Sequence, residues 1–364
     1  MAAAATGKSH SVCVDEYGDV WCLGEFSFLP DRYALVPVRH PSLQNIIQVS
    51  CGSYHTACVD SAGFLWMFGE NPFGELGMGH SLNLGEPVRV PRFVEENVEI
   101  ISVSCGQSHT VCIDSNKTCW SFGRNDKGQL GLGNWEDQEK PQSIPTLKNN
   151  IFSVSSGGSF TMFMDGQGVV YTVGCNEQGQ LGYSAGNQCK PKRVRRLPPV
   201  DAISAGNYHA LFLVDSKVYQ SGKANSGYLR QRNGSSHLRR IEDLPPVILI
   251  EAGYHHSLFL DCSNCLWTLG INNYGQLGQG NRTSVFRAPQ KVKGLGKVSF
   301  IAQTSESVII KDCEGNVYAW GDNGAGQLGL GMKESPVTIP TLLKDQSHII
   351  YSISMRSCQK SAYK

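Results

Sequence analysis

At 364 residues and 40% hydrophobic, the chain has ample material for a large core, and length alone suggests two or three domains. Its formal charge of +1 points to no class of partner, and no apolar run approaches about 18 residues, which excludes a membrane-spanning helix and insertion through one. The thirteen cysteines are scattered and odd in number, and the start MAAAATGKSHS lacks the long apolar core of a secretory signal, so a reduced cytoplasmic or nuclear protein is expected.

In chain order, one short element keeps returning. It reads GKSHS at Gly7, GSYHT at Gly52, GQSHT at Gly106, GGSFT at Gly157, GNYHA at Gly206, GYHHS at Gly253 and TSESV at Thr304. The marker residue of each copy is His10, His55, His109, Phe160, His209, His256 and Ser307, spaced by about 45 to 54 residues. A period of this length means a solenoid, a propeller or an array, so one repeated domain over residues 1–364 replaces the guess from length.

Within the second copy, IIQVSCG leads into HTACVDSAG, then FLWMFG, then the loop NPFGELGMG, then EPVRVP. The apolar runs are short, rich in Val, Ile, Cys, Phe and Trp, and bounded by turn residues such as DSAG, which is strand-and-hairpin chemistry. The glycine loop recurs as NDKGQLGLG at Asn125, NEQGQLGYS at Asn176, NNYGQLGQG at Asn272 and NGAGQLGLG at Asn323. Two copies depart from it: the first has EFSFLPDRYALVPVRH, and the fifth has KANSGYLRQRNGSSHLRR with Arg230 in place of the second glycine. Gly128 and Gly131 should adopt conformations closed to other residues, Leu130 should plug the core, and Asn125 should cap the turn. No helix and no Lys-Ser/Thr pair follows, so the loop is not a phosphate cradle.

Four short strands per unit, seven times, predict an all-β fold: a seven-bladed β-propeller of four-stranded blades. The tail Ile349–Tyr363 repeats the pattern of Ile46–Cys58, while the first copy has little before GKSHS. The C-terminal segment is therefore expected to supply the missing strand and close the ring, leaving no long sheet edge and a monomer.

The unit, written as GxxHT…DxxGxVxxWGxNxxGQLGxG, resembles the regulator of chromosome condensation family of seven-bladed propellers, over practically the whole chain. That resemblance implies a protein-interaction scaffold, with guanine-nucleotide exchange on a Ran-like or other small GTPase as the leading activity. It implies no nucleophile, no catalytic residue and no cofactor, because an exchanger grips the GTPase and distorts its nucleotide site. The residues before the markers would face the GTPase, among them Ser108, Ser159, His255 and Glu306; His255 matches a family histidine, and Ser108 and Ser159 stand where the exchanger carries aspartates. The stretch Leu132–Pro141, with Trp135, Glu136 and Asp137, falls where the family carries a nucleotide-displacing wedge. The competing implication is a non-exchanging adaptor, in ubiquitin ligation or on chromatin. No Gly-Trp-Arg-His-Thr string of the ultraviolet-B receptor type occurs.

Other clusters are read structurally. The histidines come one per repeat, so a ring of blade-to-blade hydrogen bonds to backbone is expected and no metal. Cys13, Cys58 and Cys112 alternate with Phe163, Phe212 and Phe259 at one position, as core residues do. The pair Cys262 and Cys265 forms a lone C-x-x-C in a hairpin turn, with neither zinc nor redox use expected. From Lys190 to Arg240 there are eleven basic and two acidic residues, so the rest of the chain is net negative. Lys190, Lys192, Arg193, Arg195, Arg196, Arg230, Arg232, Arg239 and Arg240 are expected in outer loops as a basic patch for chromatin or another acidic partner.

Overall fold

A computed structural model describes residues 4–343, apart from 28, 30, 148, 149, 224–237, 284 and 304. Among the described residues, seven four-stranded antiparallel sheets follow one another along the chain, each built from four consecutive strands. Blade 3 is typical, with strands Ile100–Cys105, His109–Asp114, Cys119–Gly123 and Gln138–Ser143 from the innermost outward. The short helix Pro91–Glu95 lies between blades 2 and 3 and lays Phe93 edge-on against Trp120 at 5.5 Å.

The buried side chains collect at the seams between blades, in seven clusters among the described residues. A four-stranded blade alone exposes both faces, so each hides its apolar surface on its neighbours. Blade 7 closes on blade 1 in the same way: Ala4, Cys13 and Leu23 pack with Phe300, Ala302, Ile309 and Leu328. Ser11 Oγ donates to the Gln327 carbonyl at 2.9 Å across that seam, and Gly331 N–H to the Leu35 carbonyl at 2.9 Å.

The innermost strand of blade 1, which the sequence reading gave to the tail, is Ala4–Thr6, paired with Ser11–Cys13. Small residues suffice there, because Ala4 and Ala5 are buried where inner strands crowd the axis. The tail Ile349–Tyr363 lies outside the described residues.

The glycine loop behaves as its composition demands. Gly128 and Gly131 have φ of 78° and 74°, Leu130 is fully buried, and the Asn125 carboxamide accepts from Leu130 N–H at 3.0 Å while donating to the Asn134 and Glu136 carbonyls. A Cβ on Gly128 would meet the Gln188 carbonyl oxygen at 2.6 Å, so the loop lies directly on the outermost strand of the next blade.

Candidate functional site

In most blades the first strand runs into a Gly-x-x-His turn, and the third strand runs back to the same face, where blades 2, 3, 4, 6 and 7 carry the glycine loop. The register His109 opposite Gly123 fixes this for blade 3. The backbone then joins the two loops: the carbonyl of the residue before each marker accepts an N–H from the start of the loop. Ser108 takes Arg124 N–H at 2.9 Å, Ser159 takes Cys175 at 2.8 Å, His255 takes Ile271 at 3.1 Å and Glu306 takes Asp322 at 2.9 Å. Ser108, Ser159, His255, Glu306 and Leu132–Pro141 therefore share one face.

The markers do not face a partner. His10, His55, His109 and His209 are buried, and each places Nε2 3.0 Å from a hydroxyl of the following blade: Thr56, Thr110, Thr161 and Ser257. The expected acceptor was backbone; the observed one is a side-chain hydroxyl. Thr110 and Thr161 already donate to the carbonyls of Glu75 and Gln129 at 2.8 Å, so they accept from the rings, and Nε2 carries the proton. Burial holds His10, His109 and His209 at about 4 and His55 at about 3, so all four are neutral near pH 7.

At one seam both members of the relay are replaced. Phe160 replaces a histidine in blade 4, and Ala210 replaces the hydroxyl it would have met in blade 5. Ser221, directly opposite Ala210, then donates to the Gln180 carbonyl at 2.8 Å. In blade 7 Val308 replaces the hydroxyl although the marker of blade 6 is still His256, and Trp320 opposite it donates Nε1–H to the Gln276 carbonyl at 3.0 Å; Ser307 replaces the last histidine while Ser11 in blade 1 keeps its hydroxyl.

On the outward side, Trp135 is 48% exposed and Glu136 is exposed beside it. Asp137 is committed to structure: its Oδ1 accepts Asn125 N–H at 2.6 Å, as Asn83 and Asn187 do for Asn71 and Asn176 at 2.8 Å. His255 is half-buried, stacked on Tyr208 at 5.8 Å and edge-on to Tyr254 at 4.5 Å, and burial with the nearby Lys223 charge lowers it to about 4. Glu306 turns inward, with a side chain 12% exposed that accepts from Gln276 Nε2 and lies 3.9 Å from His256 Nδ1. Burial, with a smaller contribution from the Asp322 charge, pushes the Glu306 carboxyl up to about 8.

Sequence reasoning missed the aromatic character of this face. Tyr54, Tyr208 and Tyr274 are exposed there, and Lys8 lies 5.5 Å over the Tyr54 ring. The signal was available, since Tyr54 and Tyr208 occupy the position before the marker.

Inside the ring of turns runs a central channel of about 430 Å³, lined by Ser50, Ser104, Ser155, Ser204 and Glu251 among others. The serines staple neighbouring inner strands, each hydroxyl oxygen accepting at 2.9 Å the backbone N–H of Cys105, Ser156, Ala205 or Ala252. Burial pushes Glu251 up to about 7. Among the described residues no group of three or more His, Cys, Asp or Glu is placed to hold a metal.

The basic residues lie elsewhere, and mostly not in loops. Lys190, Lys192 and Arg193 belong to the outermost strand Gln188–Arg193 of blade 4, and Arg239–Arg240 is the outermost strand of blade 5. An outermost strand has one free edge in water, so charge is tolerated on it. Arg193 and Arg240 face Tyr171 and Tyr219 in register, as Arg89 faces Trp66 and Lys291 faces Trp267; of these, Arg89 lies 4.5 Å over the Trp66 ring. Lys192 lies 4.9 Å over the Tyr183 ring, and Arg240 pairs with Glu242 at 3.5 Å. Arg195 and Arg196, exposed and beyond the strand, sit towards the opposite end of the blade from the Gly-x-x-His turns. Arg230 and Arg232 lie outside the described residues.

Fold and site together define a seven-bladed β-propeller with one aromatic, loop-bearing face and a separate basic rim. The profile described as RCC1-like domain matches residues 23–360, and the chain belongs to that family. It is 31% identical over 272 residues to the human E3 ubiquitin-protein ligase HERC2, covering 71% of this chain but 6% of that protein. It is 26% identical over 327 residues to the regulator of chromosome condensation of Xenopus laevis, covering 78% of this chain and 77% of that one. The solved structure of Prp20p from Saccharomyces cerevisiae, described with its binding to Gsp1p and histones, superposes with a TM-score of 0.80 at 23% identity, over 95% of this chain and 91% of that one.

Proposed function

We propose that this chain is a protein-recognition propeller that engages a small GTPase through the Gly-x-x-His face and promotes release of its guanine nucleotide. The observation that carries this is the convergence of exposed Trp135 and Glu136 with the Tyr208–His255–Tyr254 stack on one face, while the repeated residues beneath are fully engaged in holding blades together. Large aromatic side chains on a rigid base suit a protein interface, where few residues carry most of the affinity. Similarity to the Xenopus regulator over most of both chains supports the exchange reading. The protein acts as a monomer without a cofactor, in the cytoplasm or nucleus.

The test is nucleotide release from purified Ran, Rho, Rab and Arf-type GTPases, with Trp135→Ala and His255→Ala alongside wild type. At least one GTPase should release nucleotide faster with wild type, and about tenfold less so with either variant, as loss of an interface anchor implies. Wild-type rates from both variants would rule out this surface. A second reading has its own support: Ser108 and Ser159 put hydroxyls where the exchange-competent family carries carboxylates, and the HERC2 similarity is to a ligase. In that reading the same face binds a protein without exchange, and stable capture of a GTPase or other protein with no change in nucleotide release would establish it. The basic rim around Arg195 and Arg196 then serves a further acidic partner, chromatin included.

A further inference from the structure

One residue of the central channel breaks its repeat. Ser50, Ser104, Ser155 and Ser204 stand at one level, each stapling the next inner strand through a backbone N–H. At that level blade 6 has Glu251, opposite Leu258 as Ser204 is opposite Leu211. Going on around the ring, blade 7 has Ala302, opposite Ile309, and blade 1 has Ala5, opposite Val12. Two small side chains thus follow the carboxylate and leave room beside it. Glu251 is partly exposed to the channel and is the one carboxylate among its described lining residues. No Lys, Arg or His among the described residues forms a salt bridge with it. The one cation lining the channel, Lys8, lies over the Tyr54 ring instead.

The mouth above Glu251 is held by backbone. Its rim consists of the residues two before each marker, joined from blade to blade: Lys8 N–H donates to the Ser53 carbonyl at 3.0 Å, Ser53 to Gln107 at 3.2 Å, Asn207 to Tyr254 at 3.3 Å and Tyr254 to Ser305 at 3.0 Å. Asn207 is 5% exposed and lines the channel, yet its Nδ2 makes no hydrogen bond among the described residues. A Cβ on Gly158 would collide with Asn207 Oδ1, so the carboxamide has its place only because blade 4 carries glycine there. A buried donor without an acceptor and an enclosed carboxylate without a cation each lack what a ligand can supply. Tyr254 stands three residues above Glu251, at most about 10 Å along an extended chain. A long basic side chain entering from the mouth, together with the glutamate's own stem, spans that depth.

We propose that the channel mouth receives a single lysine or arginine side chain of a protein partner, whose cation meets the Glu251 carboxylate while a main-chain carbonyl beside it accepts from Asn207 Nδ2. A volume of about 430 Å³ is ample for one such side chain. A cation in the channel favours the ionised carboxylate and so opposes the burial that raises Glu251. The site rests on the reading that the Gly-x-x-His face binds a protein, and it needs no nucleotide exchange. In the sequence, VILIEA at Val247–Ala252 reads as one more inner strand. Only the register puts Glu251 in line with four serines and two alanines.

The experiment is ligand-observed saturation-transfer NMR on the full chain, with acetyl-Gly-Lys-Gly-amide and acetyl-Gly-Arg-Gly-amide at millimolar concentration. The matching acetyl-lysine and citrulline peptides and n-butylamine serve as comparisons. Wild type should bind at least one basic peptide, with transfer strongest at the methylene next to the cation, and neither neutral peptide. Glu251→Ser, which copies Ser204, should bind it at least about tenfold more weakly without a fall in Tm, because one partner of an enclosed charge pair is gone. Asn207→Ser, which copies Ser53 and Ser305, should weaken the peptide about threefold and leave n-butylamine unchanged, since the free amine brings no carbonyl. Trp135→Ala should leave peptide binding unchanged, so this site and the exchange surface can fail separately. The proposal is overturned if neither basic peptide binds, if the neutral peptides bind equally, or if Glu251→Ser binds as wild type does. Binding of n-butylamine as tight as that of the peptide would overturn the protein partner in favour of a free amine.

Discussion

Replacing Thr110 by Val tests the histidine relay most directly. The side chain keeps its shape and stays in a fully buried site, so packing changes little. What disappears is one hydroxyl that accepts from His55 Nε2 at 3.0 Å and donates to the Glu75 carbonyl at 2.8 Å. Each buried group left without a partner costs about 1–3 kcal/mol, so the substitution should cost about 2–6 kcal/mol. An unfolding entropy of about 2.1 cal/mol/K per residue gives a chain of this length about 1.3 °C per kcal/mol, hence a loss of about 3–8 °C in Tm. The informative measurement is the double variant His55→Phe with Thr110→Val, which copies the Phe160 and Ala210 pair. Phe160 already packs against Gly157 as His55 does against Gly52, so the ring fits the cradle. With no ring N–H left to satisfy, the double variant should recover about 1–3 kcal/mol relative to the sum of the singles. Calorimetry or urea unfolding of the four proteins reads this out. Additivity within about 0.5 kcal/mol would refute the relay, because it would mean the two groups do not depend on each other.

Glu306→Gln should alter the pH profile of stability. Its carboxyl is raised to about 8 in the fold by burial and the Asp322 charge, so the folded state holds a proton that the unfolded chain loses at ordinary carboxylate pH. That stabilising contribution is present below about pH 4.5 and is lost as pH rises through about 8, so the variant should gain relative to wild type between pH 5 and 9; a constant difference across that range in urea titrations would contradict the assignment. The buried histidines work the other way: with folded values at about 3 to 4, their contribution is present above about pH 6.5 and lost as pH falls, so His109→Phe paired with Thr161→Val should flatten the acid limb of the melting profile. Gly128→Ala, at φ 78° and with the Gln188 carbonyl 2.6 Å from the new Cβ, should cost at least about 2 kcal/mol by chemical unfolding, whereas Gly186→Ala, with nothing within 4 Å, should stay within about 0.5 kcal/mol. Arg195→Ser with Arg196→Ser should leave Tm unchanged and weaken any binding to nucleosomes or acidic proteins; equal retention at all salt concentrations would make that rim an ordinary solvated edge.

The fold was legible because the repeat writes its backbone requirements in glycine and its seams in apolar residues. Leu130 at the core and Asn125 at the turn follow from the loop string alone, since one position needs a positive φ and the next an internal hydrogen bond. The first blade was less legible: Ala4–Thr6 has no pattern that marks a strand, and only the crowding of inner strands explains why such small residues serve. The candidate face was half-legible. Trp135 and His255 lie on one side of the ring, but the repeated strings do not show that Asp137 is spent on Asn125 N–H, or that Glu306 turns to Gln276. Both depend on side-chain direction, which spacing does not encode. In the basic stretch charge density was visible, but the recurrence of a cation opposite an aromatic residue, as at Arg89 over Trp66, emerges only from strand register.

The same division explains how seven repeats can diverge without the ring failing. The marker and the hydroxyl in the next blade form one unit, although 46 to 55 residues separate them along the chain. A change at one end can be matched at the other, as Phe160 is by Ala210, with Ser221 taking the Gln180 carbonyl; it need not be, since His256 stays where blade 7 offers Val308 and Ser11 keeps its hydroxyl where Ser307 replaces the histidine. Blade 7 solves the same problem with Trp320. Residues inside this relay are buried within the scaffold and are poor sites for acquiring function. Residues one step away, at the position before each marker, lend a backbone carbonyl to the scaffold while their side chains differ from blade to blade: Ser108, Ser159, Tyr208, His255 and Glu306. If the face proposed above binds a partner, variants at the exposed ones of these positions should change binding without changing stability. Where stability does move, as the inward-facing Glu306 predicts, the side chain has been recruited back into the scaffold.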